Sequence, residues 1–530
     1  MRRSLTVVAV ILVLGIVALV ALGPAIKTEI RTRTEAYLRA RFQSDVQFTH
    51  FDVYLFPRPK ITIDNLTLRL KGRTDVLPLI QIQRVSFTAS LPDVLRKQYT
   101  IENVQLDGLQ IHIPPKGSGA RPRIGGTDVD LAKKYPILIK EIHATNGLIS
   151  ILRDDPQKPP RDFPIQQLLI NNFSFDNPAS FHAQLTNPVP RGAINCIGEF
   201  GPWQSDEPRH TPVDAKFTFD NADMGTIKGL KGTLSSSGKF SGPLDFLNVE
   251  GSTDTPDFSL NISGHQVALH TDYTAIVDGT NGNVILKPVI AHFRHTTLVV
   301  NGEVADMTPE KGRTILLNVV SSAARIEDLL YLTVKYDKPI MNGDAKITAK
   351  LVIGEGNRDI IQRMTVDGQF GVADAHFTSP SVQEKIDSFS RKGQGHPEDT
   401  DIENVVSGLA GKFRMAGGSI DFSKLSFKVT GADVELSGTY GLDQGQLDFH
   451  GQLFLDAKLS QTTTGTKSFL LKAVDPFFKG KKGGSALPIK ITGTKDHPSY
   501  GLDLHRKDSP KPPSSSRKSA AQSTNPGALP

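Results

Sequence analysis

The 530-residue chain has one cysteine, Cys196, one tryptophan, Trp203, and an aromatic content of 7%. A lone cysteine excludes any disulfide within the chain. Cys196 sits in the strand-like run Ala193-Ile194-Asn195-Cys196-Ile197, where a thiol reads as a small buried apolar group. Trp203, between Pro202 and Gln204, reads as packing. Charge of one sign is scarce as well: 61 Lys and Arg against 55 Asp and Glu leave a formal +6. Part of that excess falls near the end, in Arg506, Lys507, Lys511, Arg517 and Lys518. No broad basic face remains, so nucleic acid is not an expected partner.

Recognisable chemistry is also missing. None of the 14 histidines falls in an HExxH or comparable ligand spacing. His292 and His295 in His292-Phe293-Arg294-His295 would face opposite sides of a strand. There is no GxSxG elbow, and Gly480-Lys481-Lys482-Gly483-Gly484 lacks the phosphate-loop frame. Asp154-Asp155 lies in a proline loop, where carboxylates are solvated. The expectation is a non-enzyme with no cofactor, metal or catalytic residue.

What the chain has is one pattern repeated. Ile61-x-Ile63-x-x-Leu66-x-Leu68-x-Leu70 recurs as Ile80-x-Ile82-x-x-Val85-x-Phe87 and as Val104-x-Leu106-x-x-Leu109-x-Ile111-x-Ile113. Looser copies start at Ile142 and Leu168, and Ile420-x-Phe422-x-x-Leu425-x-Phe427 comes late. Alternation with period two predicts strands with one apolar face. The two-residue break shifts the frame by one, as a bulge or tight turn would. The Asp-Gly and Asn-Gly pairs at 107–108, 146–147, 278–279 and 301–302 predict hairpin turns. Gly (46) and Pro (34) suit a chain of many turns. About 25 strands at ~4.8 Å spacing would make a sheet on the order of 120 Å long.

Leu5 to Leu22 carries no charge, and Gly23 to Ile26 can complete a membrane-spanning helix of about 20 residues. Pro24 is a poor residue after a signal-peptidase cut, which favours an uncleaved anchor. Basic residues on both sides of the anchor leave its orientation open. The predicted organisation is 1–4 a short cytoplasmic end, 5–26 the anchor, 27–118 a helix and β region, 119–365 a repetitive β middle, 366–505 a β carboxy-terminal region and 506–530 a disordered tail. Helices are predicted at Lys27 to Phe42, at Ala323 to Leu332 with Glu327 and Asp328 outward, and from Ser379 with Ile386 and Phe389 as its apolar face. Ser468 to Phe478 is expected to hold a short helix stopped by Pro476.

The order of elements resembles the AsmA family of Gram-negative envelope proteins. The carrying residues are Phe56-Pro57-x-Pro59, Ile61 to Leu70, Pro78-Leu79-Ile80, Leu91 to Leu95 and Ile101-Glu102-Asn103-Val104. Towards the end they are Asp367-Gly368-x-Phe370, Gly417 to Phe422, Gly438 to Leu442, and Pro488-Ile489-x-Ile491-x-Gly493-Thr494-x-x-x-Pro498. Together they cover about half the chain; the middle matches in style alone. The resemblance implies a single-pass bacterial inner-membrane protein with its bulk in the periplasm, acting in outer-membrane biogenesis. It implies kinship with bridge-like lipid carriers, and so partners among phospholipid or lipopolysaccharide, the inner membrane and outer-membrane assembly proteins. The expected fold is mainly β: a transmembrane helix, then a long repetitive antiparallel sheet rolled into a groove or elongated sandwich, with a few short helices.

The candidate lipid-facing residues are Ile61, Ile63, Leu66, Leu68, Ile80, Ile82, Val104 and Leu106. A groove leaves them on one uncovered face, whereas a sandwich buries them. An envelope assembly factor working by edge pairing and a scaffold without transport are the alternatives, with a glycan enzyme a distant fourth.

Overall fold

The computed structural model describes residues 31–32 and 44–503, except 55–57, 71–76, 91–99, 114–137, 153–158, 175, 205–206, 307–312, 336–337, 401–403, 465–471, 473–474, 481–483 and 496. The expected anchor at 5–26 and the tail lie outside the described residues, as does nearly all of the helix expected at 27–42. No helix among the described residues is long and apolar enough to cross a membrane.

Among the described residues twenty-six strands join one sheet. The first ten are β1 (Ser44–Gln47), β2 (His50–Tyr54), β3 (Lys60–Leu70), β4 (Ile80–Ala89), β5 (Thr100–Asp107), β6 (Gln110–Ile113), β7 (Leu138–Ile151), β8 (Arg161–Phe173), β9 (Ala179–Pro188) and β10 (Arg191–Phe200). Then come β11 (Pro212–Asp223), β12 (Leu230–Lys231), β13 (Thr233–Pro243), β14 (Leu247–Leu260), β15 (Val267–Val277), β16 (Val284–Phe293), β17 (Thr296–Asp306) and β18 (Arg313–Arg325). The last eight are β19 (Met341–Ile353), β20 (Met364–Phe377), β21 (Ser407–Ala416), β22 (Ser419–Val429), β23 (Ala432–Gly441), β24 (Gln446–Leu455), β25 (Ser485–Thr494) and β26 (Pro498–Leu502). Among the described residues three α-helices interrupt them: α1 (Ile326–Thr333), α2 (Ile360–Arg363) and α3 (Pro380–Gln394).

From β7 to β26 the chain is an antiparallel meander, with β12 as a two-residue side strand on β14. The sheet is nevertheless mixed. Both β5 and β6 pair with β7 in parallel, which departs from the antiparallel expectation. Period-two alternation is blind to strand direction, so this junction leaves no mark in the pattern.

The frame breaks line up. Asn65 of β3 and Gln83 of β4 face each other and drop out of the ladder together. Gly108, between β5 and β6, lies against Gln83, and Asn146 of β7 follows, opposite Gln166 of β8. Asn65, Gly108 and Asn146 are left-handed, with φ of +53°, +65° and +53°. Asn and Gly are the residues that adopt this conformation most readily. Each strand thereby rotates its side chains by one position along a common line, and apolar groups on both sides of the line point the same way. Polar contacts trace it on the outside: Arg84 Nε donates to Asp64 Oδ1 at 2.7 Å, and Asn146 Nδ2 donates to Asp107 Oδ1 at 2.9 Å. Of the four predicted glycine turns, only 278–279 joins two strands as a turn. Residues 107–108 and 146–147 belong to the line of breaks, and Asn301-Gly302 lies inside β17.

Helix α1 corrects a second expectation. Asp328 does not face solvent; it is fully buried and accepts from Arg294 Nε (2.9 Å), the His295 backbone N–H (2.9 Å) and Thr296 Oγ1 (3.0 Å). The turn between β16 and β17 supplies two of the donors and the first residue of β17 the third, with Arg294 left-handed at φ +51°. The same guanidinium stacks on Tyr331, 4.5 Å from the ring centre. Helix α3 behaves as expected, and Ile386 and Phe389 pack on Val405, Val429, Ala432, Leu455 and Leu487.

Candidate functional site: the apolar face of the sheet

The eight candidate lipid-facing residues do not lie on an open face. Ile61, Ile63, Leu66, Leu68, Ile80, Ile82, Val104 and Leu106 are all buried, none more than 4% exposed. They belong to a core shared with Val85, Phe87, Ile101, Ile139, Ile142 and Ile170. Phe48, Leu79, Ile113, Ile149, Phe181 and Phe200, themselves partly buried, pack against this cluster. Alternation shows which side of a strand is apolar and not what covers it; the eight positions are apolar as read, and at this end of the sheet they are buried rather than lipid-facing.

The register then carries the same face onward. One row runs Val53, Ile61, Phe87, Val104, Ile142 and Ile170, each opposite the next. It continues through Phe181, Gly198, Ala215, Phe240, Val249 and Ala275. It proceeds through Leu286, Gly302, Leu317, Leu351, Val366 and Met415, and ends with Ile420, Tyr440 and Leu447. No charged side chain interrupts this row. A second row, two residues along, includes Phe217, Gly238, Gly251 and Tyr273, and later Val300, Val319, Ala349, Gly368, Phe413 and Phe422.

Cover is lost part-way. Along the first row, Ile61 to Ile170 are buried, whereas Phe181, Phe240, Val249, Leu286, Leu317 and Leu351 are half-buried. Small or recessed members such as Ala215, Ala275 and Met415 stay covered by their neighbours. Helices α1 and α3 roof one margin alone. Ala345 and Val372 lie under α1, with Ile326 and Leu329 against them, and Leu453 and Leu487 lie by α3. The first two rows lie outside both of these clusters.

Aromatic rings lie over glycines on this face. Phe413 opposes Gly368, and a Cβ on that glycine would stand 2.6 Å from the ring; Phe370 covers Gly411 in the same way. Such pairs cover backbone that glycine leaves bare and keep the layer thin. Cys196, between Ala183 and Phe217, is part of the same surface, and burial pushes its thiol up to about 11. That is the behaviour of an inert apolar side chain.

The opposite face is polar. Lys239–Glu250, Lys424–Glu435 and Lys428–Asp433 pair across neighbouring strands at 2.5, 3.2 and 2.9 Å. Among the described residues no group of three or more His, Cys, Asp or Glu is placed to hold a metal ion. No family model matches the chain, and no curated protein or solved structure matches it either.

Proposed function

We propose that this chain is a membrane-anchored envelope protein of the AsmA type that serves outer-membrane biogenesis by carrying lipids along its apolar sheet face. In this reading residues 5–26 anchor it in the inner membrane and the sheet stands in the periplasm. The observation that carries the reading is the uncharged row that leaves a closed core, with Phe181, Phe240, Val249, Leu286, Leu317 and Leu351 half-buried and Ala215, Ala275, Val366 and Met415 still buried among them. An apolar face of that extent needs a cover. Acyl chains provide one at about 0.8 kcal/mol per buried CH₂, without a dedicated pocket and without catalysis. The lipid-contacting residues are then Phe181, Phe240, Leu286, Leu317 and their neighbours, and the amino-terminal core is structural.

An assembly factor that pairs its edge with an outer-membrane protein precursor is the second reading. It is favoured by β26, whose Tyr500 is 74% exposed on the last described strand. Photo-crosslinking amino acids at Phe240, Leu317 and Ile63 in cells test the proposal. Phospholipid or lipopolysaccharide is expected on the first two and not on Ile63. Protein at normal abundance with no lipid at Phe240 or Leu317 would reject carriage.

A further inference from the structure

Three hydroxyl-bearing residues stand side by side on the apolar face. In a third row, two residues beyond the second, Ser236 of β13, Thr253 of β14 and Thr271 of β15 stand opposite one another between Phe219 and Ala291. Tyr273 joins them from the second row. Its phenol crosses Gly251, where a Cβ would come within 2.8 Å of the hydroxyl, and reaches Ser236 Oγ at 3.0 Å.

The protons can be counted. Ser236 Oγ donates to the Ser252 carbonyl at 2.8 Å, which commits its one proton. Tyr273 is therefore the donor to Ser236, and its own oxygen keeps acceptor capacity. Thr253 and Thr271 share one hydrogen bond at 2.6 Å. Two hydroxyls carry two protons, so the second proton of that pair has no acceptor among the described groups. On this partly exposed surface water can accept that proton, and a ligand carbonyl that replaces the water keeps the hydrogen bond while its chain covers the apolar rows.

We propose that Thr253 and Thr271 form a neutral hydrogen-bonding station on the lipid path, which takes the carbonyl of an ester- or amide-linked acyl chain. The first row on this stretch accepts hydrocarbon and offers no hydrogen bond, and the second row offers only the Tyr273 oxygen as an acceptor, its proton being committed to Ser236. No ionised side chain lies on the face here: Asp254 and Asp272, the sequence neighbours, point to the other side and bond His270 there. The station therefore suits an uncharged polar linkage, and a charged headgroup is left outside the face.

This inference rests on the lipid-carrying reading, and the test separates the two. The full-length protein in detergent would be labelled with two photoactivatable probes of equal chain length, a diacylglycerol and a dialkylglycerol ether that lacks the carbonyls. Wild type is expected to prefer the ester by about three- to tenfold, the range of one net hydrogen bond. The Thr253→Val/Thr271→Val variant is expected to lose that preference while it retains ether labelling. Should the double variant fail to accumulate, Thr271→Val against Thr271→Ser makes the same comparison with a smaller change. An equal preference in wild type and variant, or none in wild type, overturns the station. Failure of wild type to label with either probe overturns lipid carriage itself.

Discussion

Tyr273 and Gly251 are paired directly across β15 and β14, and the tyrosine occupies the space that a side chain on the glycine would need. A Cβ at Gly251 would meet the Ser237 carbonyl at 2.4 Å and the Tyr273 hydroxyl at 2.8 Å. Gly251→Ala is expected to lose about 1–3 kcal/mol of local stability, as overpacking does. Gly354→Ala, where a Cβ would meet nothing within 4 Å, should change it by less than about 0.5 kcal/mol. Hydrogen exchange of β13–β15 reads the effect where it arises. Equal protection in both variants would show that the ring does not depend on the glycine.

The boundary between closed and open face predicts opposite outcomes for one substitution. Ile63→Asp places a carboxylate in a core where the native side chain is 4% exposed, and should unfold the amino-terminal strands at a cost above about 3 kcal/mol. Leu317→Asp lies on the half-buried stretch, where the carboxylate can stay hydrated. It should accumulate normally and lose lipid crosslinking. Protein levels on immunoblots, with lipid recovery from the same cells, separate the two.

Asp328 holds the β16–β17 turn against α1 by three hydrogen bonds. Asp328→Ala leaves the His295 N–H and Thr296 hydroxyl without their acceptor, at a cost of about 1–3 kcal/mol. Loss should be local: α1 and the turn gain exchange and protease sensitivity, while β1 to β8 are unchanged. Loss of protection in β1 to β8 as well would refute a local latch.

His270 gives a pH dependence on the polar face. Its hydrogen bond to Asp254, at 2.6 Å, is the largest cause of a raised pKa, and the nearby Asp254 and Asp272 charges add to it. A raised folded-state value means stabilisation fully present below the unfolded pKa of about 6.5 and lost as pH climbs through the folded value. Exchange protection of β14 and β15 should therefore decline as pH rises past that window, beyond the intrinsic rate change. Asp254→Asn should flatten the profile; an identical profile in the variant would exclude the pair as its cause.

Cys196 is the natural reporter of the apolar face. With the thiol raised to about 11, alkylation at pH 8 should run about a hundredfold slower than for a free cysteine of pKa ~8.5. Mass spectrometry of the intact chain follows it directly. Alkylation at the free-cysteine rate would contradict the burial.

Much of the sheet was legible from local pattern. Strand faces follow from alternation, and the breaks at Asp64-Asn65 and its copies mark where the face is re-aimed, because Asn65, Gly108 and Asn146 take left-handed backbone. The rest depends on groups far apart in sequence. Whether Ile63 is covered is decided by Phe51 and Val85 beside it and by the cluster above. The burial of Asp328 is decided by a turn more than thirty residues earlier. The Asn301-Gly302 pair looks like a turn and is a floor position, since Gly302 faces Leu286 and Leu317 on either side.

The antiparallel meander from β7 to β26 has a further consequence, since each main strand bonds to the one before and the one after it. A duplicated or deleted hairpin restores strand direction and keeps the first row in step, whereas loss of one strand would reverse every strand that follows. The molecule is thus a ruler graduated in hairpins. Its reach can be lengthened or shortened in evolution, or by design, in steps of two strands at about 9–10 Å each, with no change to the surface at either end.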